Sequence, residues 1–218
     1  MGIKTDFLLQ ANFAKYCLKN KVRKLQLGCA GNIIKGFFNT DINTAYGAYY
    51  LDVRKTFPFC NNSFHYVYSE HNFEHLSYHE GKLLLKECYR VLKPNGVMRL
   101  TMPCLEFLID IYDNRHKQEN QDYMEWHFKT FAKEQFEDFG EDFSTAFLFN
   151  NFMRLWDHKC VYDKPTIKRM IELAGFKNVT FCRVSESNHE ELQNVEHHQY
   201  IIPPAFNAME TMCVEAEK

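Results

Sequence analysis

Two glycines and two aspartates lie at spacings that suit a nucleoside-binding site. Gly28 and Gly31 come directly after a short apolar strand, and Asp41 and Asp52 come at the ends of the next two predicted strands. Glycine suits a sharp turn from a strand into a ligand crevice, because a side chain would block close approach of the backbone. A carboxylate at position 41 can accept hydrogen bonds from both hydroxyls of a ribose, and one at position 52 can reach an adenine amino group. These residues indicate a nucleoside site at one edge of a sheet.

A second group of chemically active residues follows the fourth predicted strand. The run His71-Asn72-Phe73-Glu74-His75 has the form H-x-x-E-H of an inverted zinc-protease motif, and His79 continues the four-residue spacing. On a helix, the three imidazoles would share one face and could bind zinc. A zinc site of that type needs this segment to lie within a long helix, with a further ligand beyond it. Here the segment directly follows a predicted strand. We therefore predict no metal, with a zinc-dependent hydrolase using His71, Glu74 and His75 as the alternative. For His75 and His79 we favour a role in flanking a surface helix.

Strands that alternate with helices position these residues. The predicted strands are Val22–Leu27, Phe37–Ile42, Tyr49–Val53, His65–Ser69, Val97–Met102, Asn178–Val184 and Met209–Glu215. Helical spacing of apolar residues predicts helices over 5–20, over 77–92 and over 166–174, the second ended by Pro94-Asn95-Gly96 and the third by Gly175. Alternation of this kind is typical of parallel βαβ units, so we predict a layered α/β fold.

Length, charge and cysteine usage limit the class of protein. A chain of 218 residues, 45% hydrophobic and 25% charged, fits one globular domain over 1–218. Its net charge of −2 disfavours nucleic acid as a partner. No apolar run approaches the ~20 residues of a membrane span, and charged residues interrupt the N-terminal segment, unlike a signal peptide. Eight scattered cysteines without a CxxC pair suit mostly buried thiols in a reducing compartment, so we expect a cytoplasmic protein.

Two segments stand apart from the strand-helix alternation. Residues 1–21 are predicted to form an amphipathic lead-in helix. Residues 117–156 contain eight phenylalanines and both tryptophans among many acidic residues, which indicates a helical insertion. We favour a packing helix pair for this insertion. The functional alternative is a lid over a binding site, since long insertions in compact domains are often binding elements.

Four segments of the sequence form a recognisable set, which is LQLGCAGN, NTDIN, LDVRKTFPFCNNSFHYVYSEHNFEHL and LLLKECYRVLKPNGVMRLTMP. With this set the chain resembles a class I S-adenosylmethionine-dependent methyltransferase, and the resemblance extends over about residues 22–216. Within this class, the sequence most resembles the small predicted methyltransferases associated with polysaccharide biosynthesis. The resemblance implies a Rossmann-like, seven-stranded, mostly parallel sheet whose last strand is antiparallel.

The resemblance also implies roles for individual residues. S-Adenosylmethionine would be the cofactor, with Gly28 and Gly31 beside its methionine portion, Asp41 at the ribose, and Asp52 with the Val53 backbone at the adenine. The complete predicted cofactor site is Gly28, Cys29, Gly31, Asp41, Ile42, Asp52, Val53 and Ser69. Two departures concern the glycine loop. Ala30 stands where a third glycine is common, and the short interval from Gly28 to Asp41 leaves room for one helical turn or none between the first two strands.

The predicted reaction is methyl transfer to a small-molecule acceptor, with a hydroxyl of a sugar or nucleotide-linked sugar favoured. A hydroxyl must lose its proton as the new bond forms, so a general base is needed. His71 is the first candidate, His158 (in WDHKCVYDKPT) is the second, and Glu70 would orient the base or the cofactor's amino group. The alternatives are the zinc hydrolase and a non-catalytic module that binds S-adenosylmethionine. The oligomeric state stays open, with a homodimer among the candidates.

Overall fold

A computed structural model of the protein describes residues 3–132 and 144–218. The strands are β1 (Lys24–Leu27), β2 (Phe37–Asp41), β3 (Tyr49–Tyr50), β4 (Phe64–Glu70), β5 (Leu92–Pro103), β6 (Lys177–Cys182) and β7 (Thr211–Glu217). The α-helices are α1 (Ile3–Lys19), α2 (Tyr78–Val91), α3 (Leu105–Asp113), α4 (Gln118–His127), α5 (Thr145–Arg154), α6 (Lys164–Leu173) and α7 (Pro204–Glu210).

The seven strands form one sheet in the order β3-β2-β1-β4-β5-β7-β6. Strands β1 to β5 pair in parallel, and β7 runs antiparallel to both of its neighbours. This confirms the predicted Rossmann-like α/β fold and its antiparallel last strand. In the register, Leu27 lies between Thr40 and Ser69, so β1, β2 and β4 end at the same level. The residues that follow these three ends therefore meet at one edge of the sheet.

Helices α2 and α6 begin where their sequences supply capping residues. Ser77 and Glu80 form a capping box at the start of α2, whose buried stripe includes Leu84, Leu85, Cys88 and Val91. The Asp163 side chain accepts a hydrogen bond from the backbone N–H of Thr166 at the start of α6. Gly175 follows this helix with φ of +108°, a conformation that favours glycine after a helix end.

Helix α1 packs on the sheet through aromatic contacts. The Phe13 ring lies 4.8 Å from that of Phe64 and 5.4 Å from that of Phe38, between ring centroids. The Tyr16 hydroxyl donates to the carbonyl oxygen of Gly36 at 2.8 Å and accepts from the backbone N–H of Lys24 at the same distance. These contacts join the predicted lead-in helix to the start of β1 and to the loop before β2.

Several predicted element boundaries differ from the structure. The strand predicted at 49–53 is paired only over Tyr49–Tyr50, because Asp52 folds back to bond the backbone N–H of Arg54. The strand predicted at 209–215 begins at Thr211, since Met209 and Glu210 complete α7. The helix predicted over 77–92 ends at Val91, and residues 92–96, which include the predicted helix stop Pro94-Asn95-Gly96, begin the long strand β5. As predicted, no helix separates β1 from β2 over residues 28–36.

The segment predicted as a helical insertion contains α4, a π-helical turn at Phe128–Ala132, α5 and a 3-10 turn at Leu155–Asp157. Residues 133–143 of that segment, with three of its phenylalanines, lie outside the described residues. All eight cysteines are free thiols, of which four are buried and one, Cys60, is exposed. Among the residues that the structure describes, none of the helices combines the length and apolar character of a membrane span.

Candidate active site

A cavity of about 750 Å³ opens at the edge where β1, β2 and β4 end. One wall contains five of the predicted cofactor-binding residues, which are Gly28, Asp41, Ile42, Asp52 and Val53. The opposite wall contains residues from the end of α5 and the segment after it, which are Met153, Arg154, Trp156, Asp157, His158 and Lys159. The two aspartates therefore face the same space, which was the central geometric expectation from the sequence.

Gly28 occupies a position where a side chain does not fit. Its φ is +62°, and a Cβ added there would lie 2.5 Å from Cγ of Asn72. Gly31 is different, because its nearest neighbour would be Tyr46 at 3.9 Å, and it does not line the cavity. Ala30 adopts a left-handed conformation with φ of +45°, so the loop turns without the third glycine that the resemblance implies.

The Asp41 carboxylate holds the glycine loop. It accepts hydrogen bonds from the backbone N–H of Ala30 at 2.8 Å and from that of Asn43 at 2.7 Å. A carboxylate has about four acceptor sites, so these bonds leave capacity for a ligand's hydroxyl groups. Leu51 continues the same wall, since its N–H donates to the Asp41 carbonyl oxygen at 2.9 Å.

The Asp52 carboxylate is paired with Arg54. The guanidinium donates to both carboxylate oxygens, at 2.8 and 3.0 Å, and Lys55 lies 3.3 Å from one of them. These hydrogen bonds to Arg54 lower the pKa of Asp52 to about 2, outweighing the opposite effect of partial burial. Arg54 also lines the cavity, so a ligand near Asp52 would contact an ion pair rather than an isolated carboxylate.

Three predicted site residues are turned away from the cavity, contrary to the expectation that they face the cofactor. Cys29 is buried, and burial raises its pKa to about 11. The Ser69 hydroxyl donates to the carbonyl oxygen of Leu27 at 3.1 Å. The Glu70 carboxylate accepts the backbone N–H groups of His197 and His198 at 2.9 to 3.0 Å. The partners of Ser69 and Glu70 are far away in the sequence, so a local sequence pattern does not reveal them.

A second cavity, of about 330 Å³, adjoins the first. Its wall is largely aromatic, with Trp126, His127, Phe131, Phe152 and Trp156. Its polar groups include His71, Glu74, His198 and Glu210. His75, Trp156 and His158 line both cavities, and we call these three residues the junction. The insertion predicted at 117–156 thus supplies most of the aromatic wall.

His71 makes hydrogen bonds through both ring nitrogens. Nδ1 donates to Oε1 of Glu74 at 3.2 Å, and Nε2 lies 3.2 Å from Oγ1 of Thr211. The Thr211 hydroxyl donates to Oδ1 of Asn207, so it can only accept from His71. Burial lowers the pKa of His71, but the bond to Glu74 and its negative charge outweigh burial and raise it. Both ring nitrogens of His71 are therefore engaged by side chains of the protein itself.

His158 presents one free ring nitrogen at the junction. Its Nδ1 lies 2.7 Å from the carbonyl oxygen of Phe152 and must donate to it, which leaves the lone pair on Nε2. Burial lowers the pKa of His158, which favours this neutral form. The His75 ring packs edge-on against it at 4.9 Å between centroids. Trp156 has φ of +58°, a strained conformation for a bulky residue that is typical of functional sites.

The structure contradicts the zinc-hydrolase arrangement of the H-x-x-E-H motif. His71 has φ of +41° and precedes a single 3-10 turn at Phe73–His75, and His79 lies exposed on α2. The three imidazoles therefore do not share a helix face. His75 is half-buried and flanks α2, two residues before the N-cap Ser77, and its ring also lines both cavities. The set of described side chains close enough for shared metal binding is Glu74, His75 and His158.

Comparisons with known proteins identify one matching family and several similar folds. Residues 41–100 match the family described as a methyltransferase domain. No curated protein matches the sequence. The fold is similar to that of a S-adenosylmethionine-dependent methyltransferase from Archaeoglobus fulgidus, with a TM-score of 0.50, 17% identity and coverage of 98% of this chain and 94% of that one.

Two further solved structures show the range of proteins with similar folds. The cyclase SpnF aligns with a TM-score of 0.50 and 15% identity, over 98% of this chain and 80% of that one. Phosphoethanolamine N-methyltransferase 2 of Haemonchus contortus, in complex with S-adenosylhomocysteine, aligns with a TM-score of 0.47 and 14% identity, over 100% of this chain and 53% of that one. The chain thus contains a segment that matches the methyltransferase domain family, and its fold is similar to that of a solved S-adenosylmethionine-dependent methyltransferase.

Proposed function

We propose that the protein transfers a methyl group from S-adenosylmethionine to a hydroxyl group of a small molecule, a sugar or a nucleotide-linked sugar. The observation that carries this proposal is the pair of joined cavities. The larger one has the two aspartates in its wall, and the smaller one is aromatic. Donor and acceptor bound in these cavities would meet at the junction, where His158 lies.

The larger cavity fits the cofactor. Its volume of about 750 Å³ lies within the range of small-molecule sites. Asp41 can accept from ribose hydroxyls, while Val53 and Ile42 offer apolar contact and backbone groups to the adenine. We expect the Gly28 backbone, with its close approach to Asn72, to border the methionine portion. When bound, S-adenosylmethionine supplies the activated methyl group, and the residues named here orient it.

The smaller cavity suits a monosaccharide unit. The electron-rich faces of Trp126, Phe131 and Trp156 can pack against the C–H face of a sugar ring. The Glu210 carboxylate supplies a polar group at the wall that can bind a ring hydroxyl. A nucleotide attached to the sugar would extend out of this cavity. We propose that 117–156 acts as a lid here, because its helices carry most of the aromatic rings.

We propose that His158, rather than His71, activates the acceptor hydroxyl. His158 lines both cavities and has a free lone pair, whereas both nitrogens of His71 are occupied. Glu70 acts indirectly in this scheme. It holds the segment that carries His198, whose ring stacks on His71 at 4.0 Å between centroids. We place the reaction in the cytoplasm, where eight free thiols stay reduced.

The experiment has two stages. Mass spectrometry of the purified protein should detect bound S-adenosylmethionine or S-adenosylhomocysteine, and release of S-adenosylhomocysteine should then be followed with a panel of nucleotide-linked sugars. His158→Ala should lower kcat at least about 100-fold with little change in cofactor affinity, whereas His79→Ala, on the exposed face of α2, should leave both unchanged. Cofactor binding without turnover of any acceptor would support a non-catalytic binding module instead, and turnover of amines alone would exclude O-methylation.

A further inference from the structure

Three side chains from two separate parts of the chain converge beside the junction. One ligand atom from each of Glu74, His75 and His158 lies within 4.8 Å of the others. Glu74 and His75 belong to the turn after β4, while His158 follows α5. Sequence spacing could not indicate this set, because the H-x-x-E-H motif suggests His71 as the second imidazole.

One oxygen of Glu74 has no partner among the described residues. The side chain is buried, with only 1% of the residue exposed, and its Oε1 accepts from His71. Its Oε2 is buried and makes no hydrogen bond. Leaving a buried carboxylate oxygen without a donor costs free energy comparable to a lost charged hydrogen bond. A buried carboxylate that has one orphaned oxygen and lies close to two imidazoles therefore indicates a positively charged ligand that is not part of the protein.

The surrounding contacts prepare these side chains for metal binding. The His158 Nδ1–H donates to the carbonyl oxygen of Phe152, which fixes the tautomer with Nε2 free, as in most metal-binding histidines. The bond from His71 orients the Glu74 carboxylate in the same way. The backbone N–H groups of Lys159 and Cys160 donate to the Glu74 carbonyl oxygen at 2.8 and 3.1 Å. These two bonds hold the segment of His158 next to Glu74.

We propose that Glu74, His75 and His158 bind a divalent transition-metal ion, with zinc as the first candidate. Two imidazoles and one carboxylate form a ligand set found in catalytic zinc sites, which keep further positions open for water or substrate. His75 and His158 line both cavities, so the open positions would be accessible to an acceptor. Metal binding itself does not depend on the function proposed above.

The role of the ion does rest on that function. A cation at this position would bind the acceptor's hydroxyl oxygen and lower its pKa, so the proton is released to solvent. The oxygen then forms a bond to the methyl carbon as the bond from that carbon to sulfur breaks, with no change in oxidation state. In this form of the reaction, His158 activates the acceptor as a ligand of the ion rather than by taking the proton itself.

The test is direct titration of the EDTA-treated, dialysed protein with Co²⁺ and Zn²⁺ in the absence of cofactor and acceptor. Co²⁺ binding is followed by its visible absorption, and Zn²⁺ binding by calorimetry. We expect one ion per chain, and binding at least about 100-fold weaker in His75→Gln, His158→Gln and Glu74→Gln. His79→Gln, an exposed histidine close in sequence, should bind as the wild type does. Circular dichroism of each variant confirms folding, and His75→Gln, at a half-buried position, is the variant least expected to disturb the core.

Each outcome bears on one proposal. Absence of stoichiometric binding, or binding unaffected by both His75→Gln and His158→Gln, would overturn the metal site. If the metal-free protein still methylates an acceptor at the full rate, the site has no role in the reaction. If the ion binds but no acceptor is methylated although S-adenosylmethionine binds, the proposed function fails and the metal site stands.

Discussion

The carboxylate of Asp41 accepts the backbone N–H of Ala30 at 2.8 Å, so the residue assigned to the ribose also holds the loop after β1. The loop residue that it holds has a left-handed backbone conformation, with φ of +45°. A charged acceptor strengthens this hydrogen bond relative to a neutral one. Asp41 thus joins two requirements of the cofactor cavity, which are the shape of the loop and an acceptor for hydroxyl groups.

Asp41→Ala should weaken both cofactor binding and the fold. Loss of the bonds to Ala30 and Asn43 is expected to lower the free energy of unfolding by about 1–3 kcal/mol. Loss of the ribose contacts should raise the Kd of S-adenosylhomocysteine at least about tenfold, which corresponds to about 1.4 kcal/mol. Calorimetry measures the affinity, and Thr44→Ala, at an exposed nearby position outside the cavity wall, is the control that should leave it unchanged. Unchanged affinity in Asp41→Ala would remove this residue from the ribose site.

Gly28→Ala should destabilise the protein through a collision with Asn72. The added Cβ would lie 2.5 Å from Cγ of Asn72, and φ is +62°, so we expect a loss of about 1–3 kcal/mol in the free energy of unfolding. Gly47→Ala is the matched control, since its φ is +89° but no atom lies within 4 Å of the added Cβ. That control should cost about 1 kcal/mol for the backbone alone. Asn72→Ala should restore part of the stability of Gly28→Ala, and a purely additive double variant would contradict the collision.

Glu70→Gln should lower the free energy of unfolding and loosen the loop at 197–198. It should not affect the reaction directly, because Glu70 lines neither cavity. Its carboxylate accepts three hydrogen bonds from the backbone N–H groups of His197 and His198. A neutral amide would weaken these hydrogen bonds by about 2 kcal/mol in total. Faster amide hydrogen exchange at 197–198 is the expected local sign. Glu190→Gln, at an exposed position in the preceding segment, should change neither quantity. A loss of kcat with no change in exchange or stability would instead assign Glu70 a direct role in the reaction.

The buried His127 should make the fold less stable at acidic pH. Burial lowers the pKa of His127 to about 4, so the folded protein resists protonation while the unfolded chain takes up a proton near pH 6.5. The contribution to stability is full above pH 6.5 and is lost as the pH falls towards 4, with about 2 kcal/mol lost between pH 7 and pH 5. Urea unfolding of the wild type at both pH values measures this loss.

His127→Phe should remove that part of the pH dependence. The new ring keeps an aromatic group between Tyr123 and Phe152, on which His127 stacks at 5.9 and 5.5 Å between centroids. His116→Gln, which replaces an exposed histidine, should behave as the wild type does. An equal loss of stability between pH 7 and pH 5 in wild type and His127→Phe would show that the buried imidazole does not cause it.

The α/β fold class and the edge assigned to the cofactor were predictable because both depend on local patterns. Apolar runs such as 37–42 and 97–102 identify strands, and their alternation with helices implies a parallel sheet. Parallel strands end at a common edge, so Asp41 and Asp52 could be assigned to one site before their positions were known. Strand ends were less predictable. Whether Asp52 extends β3 or turns to Arg54 depends on one side-chain ion pair.

The acceptor side depended on contacts between residues distant in the sequence. The ring of His71 looked like a free base, but Thr211 occupies its second nitrogen. The role proposed for His158 depends on the packing of the loop after α5 against the turn after β4. This packing brings the free ring nitrogen of His158 to the junction. The sequence by itself determined the fold class and the donor edge, since apolar spacing and glycine conformation act over a few residues. Only the tertiary structure decided which imidazole is free, because that depends on which distant group fills each ring nitrogen.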